Sequence, residues 1–265
     1  MREQTNKMKA SVIVVNFNNS KYIERCINSL KEQSYKNIEI IFVDDRSTDN
    51  SISVIKKFKK VKIFKTIKKT KYGSLNQINA CKKGISKSNG KIIFFLDSDD
   101  FFRKNKVEIV MQYFKTKKFK ICFDKPIFYF NKKKQKKLNI FIRNKYLIPW
   151  PKFSPQSCIV VEKKYLKKIL SKITTNNFEN IWFDFRLINQ AYIDFGKIFI
   201  VPNYLTFYQQ NINTVSSNFK KFSKSWWRRR REAHNFLKYL YKINNKKFSL
   251  SLDTFATFIV NSLIK

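Results

Sequence analysis

The chain predicts an α/β fold: a doubly wound, mainly parallel sheet flanked by helices, followed by a basic helical extension. Three observations carry this. Short aliphatic runs alternate with segments whose apolar residues repeat at helical spacing, the pattern of successive βαβ units. The run at 92–96 in KIIFFLDSDD is apolar without a break, as suits a strand buried on both faces of a parallel sheet. Three strands end in polar or acidic clusters: Asn16-Phe17-Asn18, Asp44-Asp45 and Asp97-Ser98-Asp99-Asp100. Parallel strands would gather all three along the carboxyl edge, where open α/β sheets bind their ligands.

Taken in order, residues 11–15 (SVIVV) form the first strand and NFNNS the turn after it. Ser20 can cap a helix whose Ile23, Ile27 and Leu30 share one face. Residues 38–43 (IEIIFV) form the second strand, and Ser47 or Thr48 can cap a helix that turns Ile52, Ile55 and Phe58 inward. A short strand at 61–64 and a helix at 72–86 lead to Gly90, which breaks the chain before the strand at 92–96. Beyond Asp100 the pattern predicts a helix at 107–114, a strand at 119–130 interrupted by Pro126, and a solvated basic turn at 131–137. The Pro- and Trp-containing loop at 149–157 is rigid and shapes a pocket for a second substrate. Helices follow at 162–170 and at 178–191, with Glu179 and Asp184 near the start of the second. A strand at 197–201 ends at Pro202.

Composition narrows the chemistry. Fifty-six Lys and Arg face 18 Asp and Glu, a net charge of +38 over 265 residues. Nucleic-acid binding, an anionic membrane surface and a Lys-rich compositional habit all fit such a charge. Lysine is scattered along the whole length with much Asn, Ile and Phe, so charge alone points only weakly to nucleic acid. The four cysteines lie far apart with no CxxC pair and read as buried small hydrophobes in a reducing compartment. The N-terminus lacks the apolar core of a signal peptide and no segment reaches 18 apolar residues, so a cytoplasmic protein is expected, with any membrane contact peripheral. Glycines stand only at 73, 84, 90 and 196, which excludes a GxGxxG or Walker A loop. Phosphates must then be held through side chains and a metal. Three carboxylates at one strand end of so basic a chain suit a divalent cation holding a diphosphate.

From about Asn218 the α/β rhythm ends. Trp226 and Trp227 precede four arginines, Arg228 to Arg231, and Phe236, Leu237, Leu240 and Tyr241 follow at helical spacing. Such a segment can lie in a membrane interface, pack on the main domain, or bind nucleic acid. The expected division is 1–217 for the main domain and 218–265 for the extension.

The stretch SVIVVNFNNSKYIERCINSLKEQSYKNIEIIFVDDRSTDNS, with GKIIFFLDSDD after it, resembles the family 2 glycosyltransferases of the GT-A fold. The joint spacing of VDDxSxD and LDSDD is the specific part of the match. The resemblance implies transfer of a sugar, with inversion, from a nucleotide-sugar donor, a UDP-sugar being expected, to a glycan or lipid-linked acceptor, using Mg²⁺ or Mn²⁺. It implies that Asn16, Phe17 and Asn18 contact the base and ribose, and that Asp44 or Asp45, Asp45 the better, accepts hydrogen bonds from the base. Asp97 and Ser98 would also bind the donor, and Asp97 and Asp99 would form the DxD pair that holds the metal.

A general base must take the acceptor's proton. The family draws it from a Glu-Asp pair at a helix start, but here Asn180 follows Glu179, so Glu179 or Asp184 takes the role. The family's late Tyr-Arg-x-His element is represented by Tyr208-Gln209-Gln210-Asn211, without its histidine, and His234 reads as structural. The setting expected from the family and the basic tail is synthesis of a cell-surface polysaccharide or lipopolysaccharide at the inner face of the membrane. The rival expectation is a non-catalytic degenerate GT-A protein or a basic nucleic-acid-binding protein.

Overall fold

The computed structural model describes residues 8–132, 134–138, 144–210 and 219–264. One sheet of β1 (Ala10–Asn16), β2 (Ile38–Asp44), β3 (Val61–Lys65), β4 (Ile92–Asp97), β5 (Phe101–Phe102), β6 (Ile121–Tyr129), β7 (Gln135–Lys137), β8 (Ile159–Glu162) and β9 (Phe199–Gln209), ordered β3-β2-β1-β4-β8-β6-β9-β5 with β7 paired to β6, forms the frame. Its first half is the predicted parallel unit: β1 (Ala10–Asn16) between β2 (Ile38–Asp44) and β4 (Ile92–Asp97), with β3 (Val61–Lys65) outside β2. Register brings the polar ends together, because Asn16 lies opposite Asp44 and Val15 opposite Asp97. The second half is mixed. β8 (Ile159–Glu162) runs antiparallel to β4 and to β6 (Ile121–Tyr129), whereas β6 and β9 (Phe199–Gln209) are parallel.

Alternation along each strand divides the core. Ile13, Val15, Ile93 and Phe95 pack under α3 (Gly73–Lys87), α5 (Lys163–Ile173) and α6 (Phe183–Phe195). Val12, Val14, Phe94 and Leu96 pack under α1 (Ser20–Lys31) and α4 (Lys106–Thr116), with Ile55 of α2 (Ser51–Lys56) on the same side. The same parity directs the site: Asp97 continues the Phe95 face toward α6, and Ser98 continues the Leu96 face toward α1. Gly84 lets α3 lie close on β1, since a Cβ there would sit 2.3 Å from Ile13 Cγ2. Gly90 answers a similar need, because a Cβ would come within 2.6 Å of the Ser11 backbone nitrogen.

Four local expectations are corrected. The helix expected over 178–191 begins only at Phe183, so Glu179 and Asn180 lie in the turn before it. Phe178 sits at φ +68°, outside helical space, and fully buried Arg186 holds the turn by donating to the carbonyls of Ile173, Thr175, Asn177, Phe178 and Ile181. The last strand does not stop at Pro202 but continues to Gln209. Exposed Pro202 falls in a register shift, where two strand positions beyond Phe123 face four beyond Ile200 (Lys125 pairs with Tyr204), so its missing N–H removes no ladder bond. Pro126 does not interrupt β6, for a second register shift sits beside it. Asn50, not Ser47 or Thr48, precedes α2.

α7 (Lys224–Ile243) and α8 (Leu252–Leu263) close the chain. Ala233, Phe236, Leu237 and Leu240 of α7 share an apolar cluster with Trp150, Ile181 and Ile193 of the main fold. His234 is buried between Asp253 (2.9 Å) and Thr254 (3.2 Å) of α8, a structural position. The expected boundary at 217–218 and Asn211 lie outside the described residues. No helix among the described residues is long and apolar enough to cross a membrane.

Candidate active site at the carboxyl edge

The β1 and β2 ends make a hydrogen-bonded platform. Asn16 Nδ2 donates to Asp44 Oδ1 at 2.8 Å and to Ser47 Oγ at 3.0 Å, while Ser47 donates to Asp44 from both its hydroxyl and its backbone nitrogen. Asn16 Oδ1 is buried without a partner. Asp44 is fully buried and spent on shaping this loop. Asn18, held at φ +50°, receives Thr48 N–H on its Oδ1 and donates its own N–H to Ser47, and Phe17 between them is 49% exposed. Asp45 faces elsewhere: Oδ1 accepts from Thr66 Oγ1 at 2.5 Å and lies 3.2 Å from Arg46. Burial raises its pKa, and the Thr66 hydrogen bond and Arg46 oppose the rise.

The β4 end carries an excess of negative charge. Asp97 accepts from Gln156 Nε2 at 2.8 Å. Burial, then the charges of Asp99 and Asp184, push its pKa up to about 8 against that single hydrogen bond. Asp99 is raised by burial and opposed by Arg25, whose guanidinium donates to the Asp99 carbonyl and to Gln209 and lies 4.4 Å from the Phe101 ring. Asp100 is fully buried, its two oxygens taken by Ser157 Oγ and by the backbone N–H of Gln209. It braces the site and offers no oxygen to a ligand. Ser98 is likewise buried, with Asn19 Nδ2 donating to its hydroxyl at 3.2 Å.

The third component comes from α6. Phe183 packs edge-on against Phe95 at 5.2 Å, two residues before Asp97 on the same face of β4. This contact delivers the first turn of α6, and with it Asp184, to the carboxylate cluster. Asp184 Oδ1 accepts the Phe185 N–H at 2.6 Å, and Oδ2 has no side-chain donor among the described residues. Burial raises the Asp184 pKa, opposed by that N–H and by Arg229. Glu179 is tied through its carbonyl to Ser74 Oγ, and the carboxylates that act on Asp97 are Asp99 and Asp184. Asn180 turns away, its amide and backbone N–H both donating to Glu232 of α7 at 2.8 and 2.9 Å.

The structure therefore gathers Asn16, Asn18, Asp44, Asp45, Asp97, Ser98, Asp99 and Asp184 along one edge, with Phe17 exposed beside them and Glu179 less intimately placed. Among the supports, Arg25, Thr66 and Glu232 carry no motif signal in the sequence, whereas Gln156 and Ser157 stand in the 149–157 loop and Gln209 in the late Tyr208-Gln209-Gln210-Asn211 element, with bracing roles that neither reading foresaw. The loop at 149–157 divides, for Gln156 and Ser157 brace Asp97 and Asp100, while Trp150 lines a cleft of ≈190 Å³ with Trp182, Phe185, Trp226, Arg229 and Arg230. As to a cation, no three His, Cys, Asp or Glu side chains come together in a metal-holding group among the described residues. Asp97 and Asp99 could supply two ligands, and the raised pKa of each fits a pair whose charged forms a hard cation would stabilise.

Known proteins resemble this chain in family and in fold. The model of glycosyl transferase family 2 matches residues 11–196. An uncharacterized glycosyltransferase of Nostoc sp. is 38% identical over 109 residues, 41% of this chain and 34% of that protein. The Staphylococcus aureus poly(ribitol-phosphate) beta-N-acetylglucosaminyltransferase TarP is also 38% identical over 109 residues, 40% of this chain and 32% of its own. These matches span about a third of each relative. The cholesterol galactosyltransferase of Borreliella burgdorferi is 24% identical over 248 residues, 85% of this chain and 66% of that protein. S. aureus TarS in complex with UDP-GlcNAc superposes with a TM-score of 0.62 over 97% of this chain and 71% of that one. At 16% identity that likeness speaks for the fold alone, and it is the GT-A fold expected from the sequence.

Proposed function

This chain belongs to glycosyl transferase family 2, and from that premise we propose that it transfers a sugar from a UDP-linked donor to a glycan or lipid-linked acceptor with inversion, in synthesis of a surface polysaccharide. The observation that carries the reading is the convergence of Asp97 and Asp99 with Asp184 at the carboxyl edge, where each acid sits in a different environment. TarS bound to UDP and to UDP-GlcNAc supports a uridine donor. TarP and the cholesterol galactosyltransferase, named for a polymer and a lipid acceptor, support the acceptor class.

Asn16, Phe17, Asn18 and Asp45 bind the nucleoside, Asp45 accepting from the base and Asp44 holding the loop in shape. Asp97 and Asp99 would hold Mg²⁺ or Mn²⁺, which would supply positive charge to the leaving diphosphate. Asp184 acts as the base: Oδ2 takes the acceptor hydroxyl proton, the hydroxyl oxygen bonds to the anomeric carbon from the face opposite the diphosphate, and the bond to the diphosphate breaks with its electron pair leaving on phosphate oxygen. A carboxylate whose pKa is raised by burial is a stronger base near neutral pH than an exposed one.

The peripheral position at the inner face of a membrane is part of the same proposal. Trp226, Arg229 and Arg230 face the cleft, so the lipid contact falls to α8, where Leu252, Phe255, Ile259 and Leu263 form one stripe, each more than half exposed, while Thr254, Thr257 and Asn261 point inward.

Calorimetric titration with UDP, GDP and CDP, with and without Mn²⁺, tests the reading. Metal-dependent binding of UDP that Asp99→Asn abolishes is expected. Salt-sensitive binding of DNA or RNA with no nucleotide binding would replace it with the nucleic-acid reading.

A further inference from the structure

A cleft of ≈190 Å³ lies between the α6 start and α7, beside the donor edge. Two of its walls, Trp182 and Phe185, bracket Asp184 in the chain, so the cleft opens beside the proposed proton acceptor. Trp150 and Trp226 present further flat apolar surface, held by the Arg230 guanidinium 5.0 and 4.9 Å from their rings. Arg230 is itself neutralised by Asp253 at 2.5 Å. Arg229 is different. It lies 4.6 Å from the Phe219 ring and feels Asp184 and Glu232, yet its guanidinium makes no hydrogen bond or ion-pair contact among the described residues. A half-buried guanidinium with five unspent donors is a fork for an anionic oxygen group.

We propose that this cleft is the acceptor subsite and that the acceptor is a phosphate-bearing sugar, its phosphate bound by Arg229 and its ring faced by Trp182 and Trp226. The proposal rests on the transferase reading and adds the acceptor's charge to it. Indole faces suit the C–H surface of a sugar, and the planar guanidinium pairs with two phosphate oxygens at once. A neutral acceptor would leave Arg229 desolvated and unpaired beside it, which costs affinity. The phosphate could belong to a soluble sugar phosphate or to a prenyl-linked carrier.

Tryptophan fluorescence of the full chain, with UDP and Mn²⁺ saturating the donor edge, separates these outcomes. Glucose 1-phosphate, glucose and farnesyl phosphate serve as probes, on wild type and on Arg229→Gln. Saturable binding of a phosphorylated probe, weakened roughly 10- to 100-fold in Arg229→Gln with UDP affinity unchanged, is the expected result. Binding of glucose 1-phosphate assigns the soluble source and binding of farnesyl phosphate alone the lipid-linked one. Trp226→Ala, with a melting curve as a folding control, should weaken the same probe without touching UDP. The proposal is overturned if neither phosphorylated probe binds wild type, if glucose binds as tightly as glucose 1-phosphate, or if Arg229→Gln matches wild type. Loss of UDP binding in wild type would instead remove the transferase reading itself.

Discussion

Replacing Lys106 tests how the acidic edge is kept in register. Lys106 and Asp124 form an ion pair at 2.8 Å in which neither side chain is accessible to solvent. The ammonium also donates to Ser157 O at 2.7 Å and to Thr206 Oγ1 at 2.6 Å, and it lies over the Phe102 ring. Asp124 accepts in addition from Leu205 N–H and Thr206 Oγ1. Lys106→Met strands a buried carboxylate, which costs about 3–5 kcal/mol. For a chain of this size that lowers the melting temperature by about 6–20 °C. Asp124→Asn strands the ammonium with a similar cost. The double variant keeps an amide oxygen for Leu205 and Thr206 and leaves no unpaired charge, so a coupling energy of about 2 kcal/mol or more is expected. Burial raises the Asp124 pKa even beside Lys106. Without the lysine the rise is larger, so the lone carboxylate destabilises the fold above its folded pKa and ceases to do so once protonated. The deficit of Lys106→Met therefore shrinks as pH falls from 8 toward 5. Melts followed by circular dichroism supply each quantity. Single variants within about 1 kcal/mol of wild type, or a coupling near zero, would refute the assigned role of this pair.

Asp184→Asn should cut turnover by roughly 10²–10⁴-fold with UDP affinity intact, and Glu179→Gln should cost much less; the reverse order in steady-state kinetics would move the base to Glu179. Removal of divalent cations with EDTA should abolish turnover and Mn²⁺ restore it, whereas full activity in EDTA would exclude the roles given to Asp97 and Asp99. At the opposite edge, burial pushes the Glu39 pKa up. Hydrogen bonds from Ser11, Asn89 and Lys62, with Lys9 nearby, more than reverse this and hold it at about 2 against an ordinary 4.5. That stabilisation is present above pH 4.5 and lost as pH falls through about 2, so Glu39→Gln should cost up to about 3 kcal/mol at pH 7 and little at pH 2; an equal cost at both would contradict it. Arg186→Lys cannot supply five carbonyls, and faster proteolysis at 173–181 with a lower melting temperature is expected.

Much of the fold was legible because its signals are local. A strand reads as a strand from its own residues, and the period of two that places Phe95 in one core also aims Asp97 at the helix covering that core. Elsewhere neighbouring chain overrides local preference. Pro202 stops a strand only if its N–H is needed, and the register shift beside it removes the need. The turn at 178–182 precedes a helix in sequence, but Phe178 sits at φ +68° and Arg186 holds the carbonyls of Phe178 and Ile181.

The parallel unit, the three polar strand ends and the family are legible from short-range periodicity and from motif spacing within the first hundred residues. The surroundings of each acid depend on segments far apart in the chain. Asp44 and Asp45 are adjacent in the chain, yet one is spent on Asn16 and Ser47 and the other meets Thr66 and Arg46. Asp97, Asp99 and Asp100 look alike in sequence, yet Asp100 is used up by Ser157 and Gln209, while Asp97 and Asp184 act on one another across the Phe95–Phe183 contact. The physical reason is that a carboxylate's role depends on which donors and charges reach it once water is excluded. For Asp97 and Asp100 those groups come from β9, α6 and the turn before β8, which meet only once the sheet and its covering helices have assembled.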